Sequence, residues 1–462
     1  MNGWRRKFPG DFPNFRTNGG NQGGQRISGV HGLLQNAPDT RMLTSGDITG
    51  FIILVMTYFV PLLFRTVRMR RSTVLAVWTV VSAHHVVAIW LAFVGQIRGI
   101  TERDPSSFHL YATEWQKAGS VELAIGAEAY IQFLGVVYRI FGSSWLVGNE
   151  LSVLAFTFAT CVLVALCHLV DHRQNMWLIV LLFGCWPTVL LNTAITIREA
   201  YESLFLLVSV YYAVQFHFTG KGKYLLLCTV STALFGFTHK GMLIYSVLLL
   251  PMLAYWPLTV SSQRRYRRNR SVHLSVLLLC LLLATSALPV VVSKSSDISG
   301  MFLVARLSQG DVTQVVSEYQ NDLGGAGGRS DYGPLLDSSN PVVFLATAVQ
   351  SMVYFWVTPF PWWVRTAKDL FGSMEGMLRL LLIACALITL YRGNTRVRRT
   401  QSLLVAIFVS ISFVWALGTA NYGTAMRHNI PGYGILLVAA LPAFSSFLAR
   451  LDVLKPRGLR YR

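Results

Sequence analysis

The stretch "GITERDPSSFHLYATEW", Gly99 to Trp115, decides how the chain reads. It sets Glu102, Asp104, His109 and Glu114 directly behind a long apolar run and ahead of a semi-polar segment, Val121 to Phe141. A bilayer core about 30 Å thick needs roughly 20 apolar residues of helix to cross it, so the run before Gly99 is long enough to span. The acidic, aromatic stretch is then the first loop beyond a membrane face. Similar windows recur along the chain, and they are continuously apolar rather than alternating, which implies helices and not a barrel. Composition agrees: 462 residues, 53% hydrophobic and 13% charged, hold too little charge for a soluble protein of this length.

The net charge of +19 would suggest nucleic acid as a partner in a soluble protein. Here the positive-inside rule accounts for it. The basic residues sit in short connectors: Arg65 to Arg71, Lys221 and Lys223, the run "RRYRRNR" from Arg264, Arg392 to Arg399, and the tail from Arg450. No aromatic interleaving accompanies them, and no nucleic-acid partner is expected. All six cysteines, Cys161, Cys167, Cys185, Cys228, Cys280 and Cys385, lie in apolar windows at no metal-ligand spacing and read as small core hydrophobes. The first 45 residues are rich in Gly, Asn and Arg and lack the apolar core of a signal peptide, so a disordered basic tail is expected over 1–46.

With the basic connectors as cytoplasmic markers, spans are expected near 47–64, 74–95, 146–168, 175–195, 199–217, 224–238, 241–259, 271–292, 375–391, 401–418 and 430–449. The fold class is therefore all-α, a polytopic membrane protein with about eleven transmembrane helices plus interfacial helices. It divides into an N-terminal bundle over 47–292 with the first external loop at 96–145, an external loop and interfacial helix over 293–374, and C-terminal transmembrane helices with a basic cytoplasmic tail over 375–462. The N-terminus is expected outside and the C-terminus in the cytoplasm. Pro341 to Trp363 is apolar enough to span, but counting it as a span would carry the connector at Arg392 to Arg399 outside. A helix lying in the outer interface fits better: Pro359 and Pro361 break it, and Trp356, Trp362 and Trp363 suit the headgroup zone.

Ionisable groups at membrane depth cost several kcal/mol unless they face a water-filled cavity, so the few in this chain are candidate functional residues. They gather at the outer face. Asp104 opens a short helix that Pro105 suits at its first position. It is either the cap of that helix or a carboxylate at the mouth of an external cavity, poised as general base on an acceptor hydroxyl. Arg198 and Glu199 stand at the outer start of the fifth span, with Glu202 one turn on. An intrahelical pair of a snorkelling Arg198 with Glu202 is one reading. The other is a phosphate contact, since the planar guanidinium matches phosphate oxygens. His239 and Lys240 form a basic pair in an outer connector, either an ordinary turn or an anion site. In "GTANYGTAMRHN" the same logic covers Arg427 and His428, while Asn421 and Tyr422 are placed to hydrogen-bond a sugar. The glycine-rich "LGGAGGRSDYG" lacks the flanking strand and helix of a nucleotide loop, so that motif is rejected, and a lid or a plain disordered loop is expected instead.

Taken together, "DPSSFHLYA" after an early span, "AEAYIQFLGVVYRIFGSSWLVGNELS", "LNTAITIREAYESLFLL" and the late "FWVTPFPWW" and "NYGTAMRHN" resemble the GT-C superfamily of multi-span glycosyltransferases. The resemblance is to bacterial members of the dolichyl-phosphate-mannose-like and aminoarabinose-transferase-like kind. It implies a GT-C-like fold in the bacterial inner membrane, a polyprenyl-phosphate-linked sugar donor, and a glycan or lipid acceptor at the outer face, within cell-envelope polysaccharide synthesis. It also implies that Asp104 is the catalytic carboxylate and Arg198 a donor-phosphate contact, with Glu199, His239, Lys240, Arg427, His428, Asn421 and His109 as further substrate contacts. Metal use varies in the superfamily, so a divalent metal held by Asp104 is the alternative to a base. The extra early span and the basic, aromatic outer loops are also similar to polysaccharide polymerases and O-antigen ligases. A non-enzymatic transporter or flippase of lipid-linked saccharide would instead require ionisable residues deep within spans, where the sequence offers only His84 and His85.

Overall fold

The computed structural model describes residues 43–95, 104–119, 121, 124–172, 175–239, 330–332, 336–393 and 395–450, with Gly241, Met242, Tyr245, Leu249, Met252, Trp256, Ser317 and Gln320 placed singly between them. The expected tail up to residue 42, Glu102, Lys240, the spans near 241–259 and 271–292 apart from the residues just named, and the glycine-rich run up to residue 329 lie outside these residues, while the last residues of the expected tail are ordered, with Thr44 capping a helix that begins at Ser45. Within them the chain is helical, and paired extended backbone is confined to an isolated antiparallel bridge between Asp331 and Asn421.

The helices in chain order are α1 (Ser45–Thr57), α2 (Val60–Leu63), α3 (Arg65–Arg68), α4 (Arg71–Phe93), α5 (Asp104–Ala118), α6 (Ala127–Phe141), α7 (Trp145–Leu169), α8 (Met176–Gly184), α9 (Pro187–Thr193), α10 (Glu199–Thr219), α11 (Gly222–Thr238), α12 (Pro341–Val357), α13 (Ala367–Arg392), α14 (Thr395–Leu417), α15 (Tyr422–His428) and α16 (Ile430–Arg450). Their starts follow local chemistry. Thr44 with Asp47 and Thr366 with Asp369 each close a reciprocal capping box, and the Asn340 side chain accepts from the amides of Val342 and Val343 ahead of α12.

Six helical stretches among the described residues are long and apolar enough to cross a membrane: Ser45–Leu63, Arg71–Phe93, Trp145–Leu169, Ala367–Arg392, Val397–Leu417 and Ile430–Arg450. The span expected near 175–195 is broken: α8 and α9 meet at 67° around Cys185 and Trp186, where Pro187 has no amide hydrogen to continue the first helix. Helix α10 has 21 residues, long enough to cross, but its first-turn acids, tyrosines, Gln215 and His217 make it less apolar than the six. Helix α11, at 17 residues, is shorter, as is α12, which ends in a cis Thr358–Pro359 bond and a 3-10 turn at Pro361–Trp363. That break falls where the two prolines require it.

Lipid tails are as apolar as leucine, so burial of grease gives little drive for helix association in a bilayer; close packing and interhelical hydrogen bonds hold such a bundle. Accordingly, α4 leaves Leu75, Val86 and Trp90 exposed and α13 leaves Leu387 and Ile388 exposed, while the inward faces of α4, α7, α8, α10 and α16 form one large core. A second core joins α5 to α6 through Phe108, Ala112, Tyr130, Leu134 and Tyr138, and reaches Ile195 and Ile197 before α10. Polar bonds tie the helices at chosen points: His84 Nε2 to Thr193 Oγ1 at 2.8 Å, Asn149 Nδ2 to the Ala88 carbonyl at 3.1 Å, Thr196 Oγ1 to Asn149 Oδ1 at 2.8 Å. Of the cysteines, Cys161, Cys167, Cys228 and Cys385 are buried as expected, whereas Cys185 is exposed at the α8–α9 break.

Candidate functional site

Three chain segments far apart in sequence meet at one point. Asp104 is the first residue of α5, with Pro105 in the first turn, where a missing amide hydrogen costs nothing. Glu199 begins α10, where the amide dipoles favour an acid. Arg427 stands in the last turn of α15, where they favour a cation, and α15 itself starts on Asn421, whose Oδ1 accepts from the Thr424 amide at 2.7 Å. The Arg427 guanidinium donates through Nε to Glu199 Oε1 at 2.6 Å and through Nη1 to Asp104 Oδ2. Burial opposes its charge, but Glu199 and Asp104 outweigh burial and hold Arg427 above the ordinary arginine range.

Arg198 lies beside this pair on the residue before α10. Its Nη1 donates to the Thr238 carbonyl at 3.1 Å and its guanidinium sits 5.6 Å from the Phe108 ring. Its Nε is buried with no hydrogen-bond partner among the described residues. The intrahelical pair with Glu202 is not formed: no ion pair joins them among the described residues. Glu202 is buried on the first turn of α10 and feels the charges of Arg198, Glu199 and Arg427. One arm of the Arg198 guanidinium is instead held at the end of α11, on the Thr238 carbonyl.

His428 stacks on Trp415 with ring centres 3.8 Å apart, and its Nδ1 lies 3.3 Å from Thr419 Oγ1. His239 meets the same Trp415 at 4.3 Å and His428 at 5.6 Å. Burial, then His239, Arg427 and Arg198, push His428 well below the ordinary imidazole range, so it offers an anion a neutral ring and no charge. His109 is held elsewhere on α5, its Nδ1 2.8 Å from Tyr138 Oη and its ring stacked 4.1 Å from Trp145. Asn421 and Tyr422, expected near a sugar, are engaged within the protein: Asn421 caps α15, and Tyr422 Oη donates to Asp369 Oδ1 at 3.1 Å. Part of the segment ahead of α12 is stitched beside them, with the Tyr422 amide on the Ser330 carbonyl at 3.0 Å and Tyr332 Oη on the Thr419 carbonyl at 2.8 Å.

For a metal at Asp104 the arrangement gives little support. A guanidinium occupies the carboxylate, and among the described residues no three His, Cys, Asp or Glu side chains converge as ligands. No step below is routed through a metal.

Sequence reading placed His84 and His85 within a span but missed the buried Glu150, Glu375 and Arg379. His85 Nδ1 lies 2.6 Å from Glu150 Oε2 between α4 and α7. Glu375 of α13 accepts from the Thr188 amide at 3.0 Å, and Arg379 one turn on donates to the Trp356 carbonyl. Both line a narrow cleft with Trp186, Asn429 and Tyr433. Glu150 and Glu375 stood near the edges of their apolar windows, where an acid looks like part of a connector; α13 starts eight residues before the expected span, which carries Glu375 two turns into the helix.

No family model matches the chain, and no curated protein matches it. Among solved structures it is similar to archaeal oligosaccharyltransferase AglB from Archaeoglobus fulgidus, determined in complex with an inhibitory peptide and a dolichol-phosphate. The identity is 11%, the TM-score is 0.47, and the match covers 84% of this chain and 52% of that one, so the chain spans about half the length of that protein.

Proposed function

We propose that this membrane protein is a glycosyltransferase that moves a sugar from a polyprenyl-phosphate-linked donor to a hydroxyl of a glycan or lipid acceptor at the outer face of the bacterial inner membrane. The observation that carries the reading is the meeting of Asp104, Glu199 and Arg427, with Arg198 alongside, from segments up to 323 residues apart. Such a site joins a base to phosphate-binding guanidiniums. The Asp104 carboxylate takes the acceptor hydroxyl proton while that oxygen attacks the anomeric carbon; the bond from that carbon to the phosphate oxygen breaks, and its electron pair leaves with the polyprenyl phosphate. Attack opposite the leaving group inverts the anomeric centre. Arg427 and Arg198 stabilise the charge that grows on the departing phosphate, the larger catalytic contribution in a site partly shielded from water.

The test is transfer by purified full-length protein given a polyprenyl-phosphate sugar and an envelope acceptor extract. Asp104→Asn keeps size and an acceptor oxygen for Arg427 but removes the base, so transfer should fall by about 100-fold or more while the protein remains folded. Wild-type turnover by that variant would leave Asp104 as no more than a structural partner of Arg427 and overturn the reading.

A second reading, movement of a lipid-linked saccharide across the membrane, is favoured by one finding: the His85–Glu150 and Glu375–Arg379 groups buried within spans. Vesicles holding the purified protein and a fluorescent lipid-linked saccharide separate the two. Accelerated flipping with no transfer product would select transport.

A further inference from the structure

Arg427 bridges two carboxylates whose surroundings differ. On one side its Nε and Nη2 edge meets Glu199 Oε1, and the Glu199 side chain is 2% exposed. On the other its Nη1 meets Asp104, whose side chain is 52% exposed. These two contacts are not equally durable. Breaking a buried pair strands an uncompensated charge, whereas water screens an exposed pair and readily takes over its partners. The inner contact is thus an anchor and the outer one an exchangeable joint.

The outer contact also conflicts with catalysis as it stands. Asp104 Oδ2 is occupied by the Nη1 donor, and a carboxylate oxygen held by a guanidinium is not free to accept from an acceptor hydroxyl. Asp104 must be released before it serves as a base. The donor brings the one group able to do this: its phosphodiester carries a negative charge and oxygens that suit the same N–H donors.

We infer that donor binding switches Arg427 from Asp104 to the donor phosphate: Nη1 exchanges its carboxylate for a phosphate oxygen, the Nε and Nη2 edge stays on Glu199, and Asp104 becomes a free base only once the donor is seated. The inference rests on the transferase reading given above and adds an order to it, donor first and acceptor second. Glu199 is then a positioning residue, acting through Arg427, and Asp104 is a competitor of the donor as well as its catalyst's base. Free enzyme keeps its base masked, which also prevents activation of water in the absence of donor.

The consequence is counterintuitive and measurable. Removing the Asp104 charge should abolish transfer and tighten the binding of polyprenyl phosphate, because the competing anion is gone. The probe is a short-chain polyprenyl phosphate titrated into purified full-length protein in detergent, read by calorimetry. Asp104→Asn and Asp104→Ser, both of which keep a polar side chain at the start of α5, should bind it about 1.5-fold to fivefold tighter than wild type, the range expected for release of one exposed ion pair. Glu199→Gln should bind it more weakly, since Arg427 loses its anchor. Unchanged or weaker binding by both Asp104 variants would overturn the switch, and would leave the transferase reading standing provided transfer is lost. Wild-type transfer by the Asp104 variants would instead remove the reading on which the switch rests.

Discussion

At the scale of single residues, Arg198 separates phosphate recognition from structural support. One arm of its guanidinium is spent on the Thr238 carbonyl, while the buried Nε lacks a hydrogen-bond partner among the described residues. A buried donor left unpaired is costly unless a ligand satisfies it. Arg198→Lys retains the charge but not the fork, so polyprenyl phosphate binding should weaken by about 1.5–3 kcal/mol, the worth of a charge-assisted hydrogen bond. Glu202→Gln, which touches no ion pair among the described residues, should leave that affinity near wild type. Equal affinities for wild type and Arg198→Lys would assign Arg198 to structure alone. Asp104, Arg198, Glu199 and Arg427 were each legible in the sequence, because a charge between apolar windows stands out. Their pairing was not: Arg427 and Glu199 are 228 residues apart, and no local pattern records which carboxylate a distant arginine will meet.

At the scale of elements, the site depends on how the chain enters α10. Residues 194–198 are not helical, yet they are fixed from both sides: Thr193 by His84 of α4, Thr196 by Asn149 of α7, and Ile195 and Ile197 by the core under α5 and α6. Gly148 permits this approach, since a Cβ there would come within 2.8 Å of Tyr138 Oη and closer still to Thr196 Oγ1. Asn149→Ala leaves Thr196 and the Ala88 carbonyl without their shared partner, and each lost bond between membrane helices is worth on average about 0.6 kcal/mol. We expect a modest loss of thermal stability, together with a rise in donor KM as Arg198 and Glu199 lose register; an unchanged KM would show that the clamp serves folding alone. Among the described residues, the six long apolar helices fall where apolar windows in the sequence place them, while the spans expected near 241–259 and 271–292 lie largely outside those residues. The 67° break between α8 and α9 was not legible, because a proline in a long apolar run signals an interruption without fixing its angle.

At the scale of the whole molecule, helical membrane architecture follows from composition: a chain with 13% charged residues and repeated apolar windows satisfies its backbone in lipid only as helices. Orientation is a proposal that rests on the basic connectors, and it places Asp104, Glu199 and Arg427 on the outer face. Cysteine introduced at Glu114, exposed on α5, should react with a membrane-impermeant maleimide in intact cells, with Cys185→Ser as the background because Cys185 is itself exposed. Labelling only after lysis would place the whole site in the cytoplasm.

The central claim is that Asp104 and Arg427 act as one catalytic unit, and a double-mutant cycle on transfer rate measures this directly. Initial rates are compared for wild type, Asp104→Asn, Arg427→Gln and the double variant, with polyprenyl-phosphate sugar at saturation. Residues that act as a unit are strongly non-additive, so the double variant should be little slower than the slower single variant. Losses that multiply, or a single variant with wild-type rate, would contradict the account.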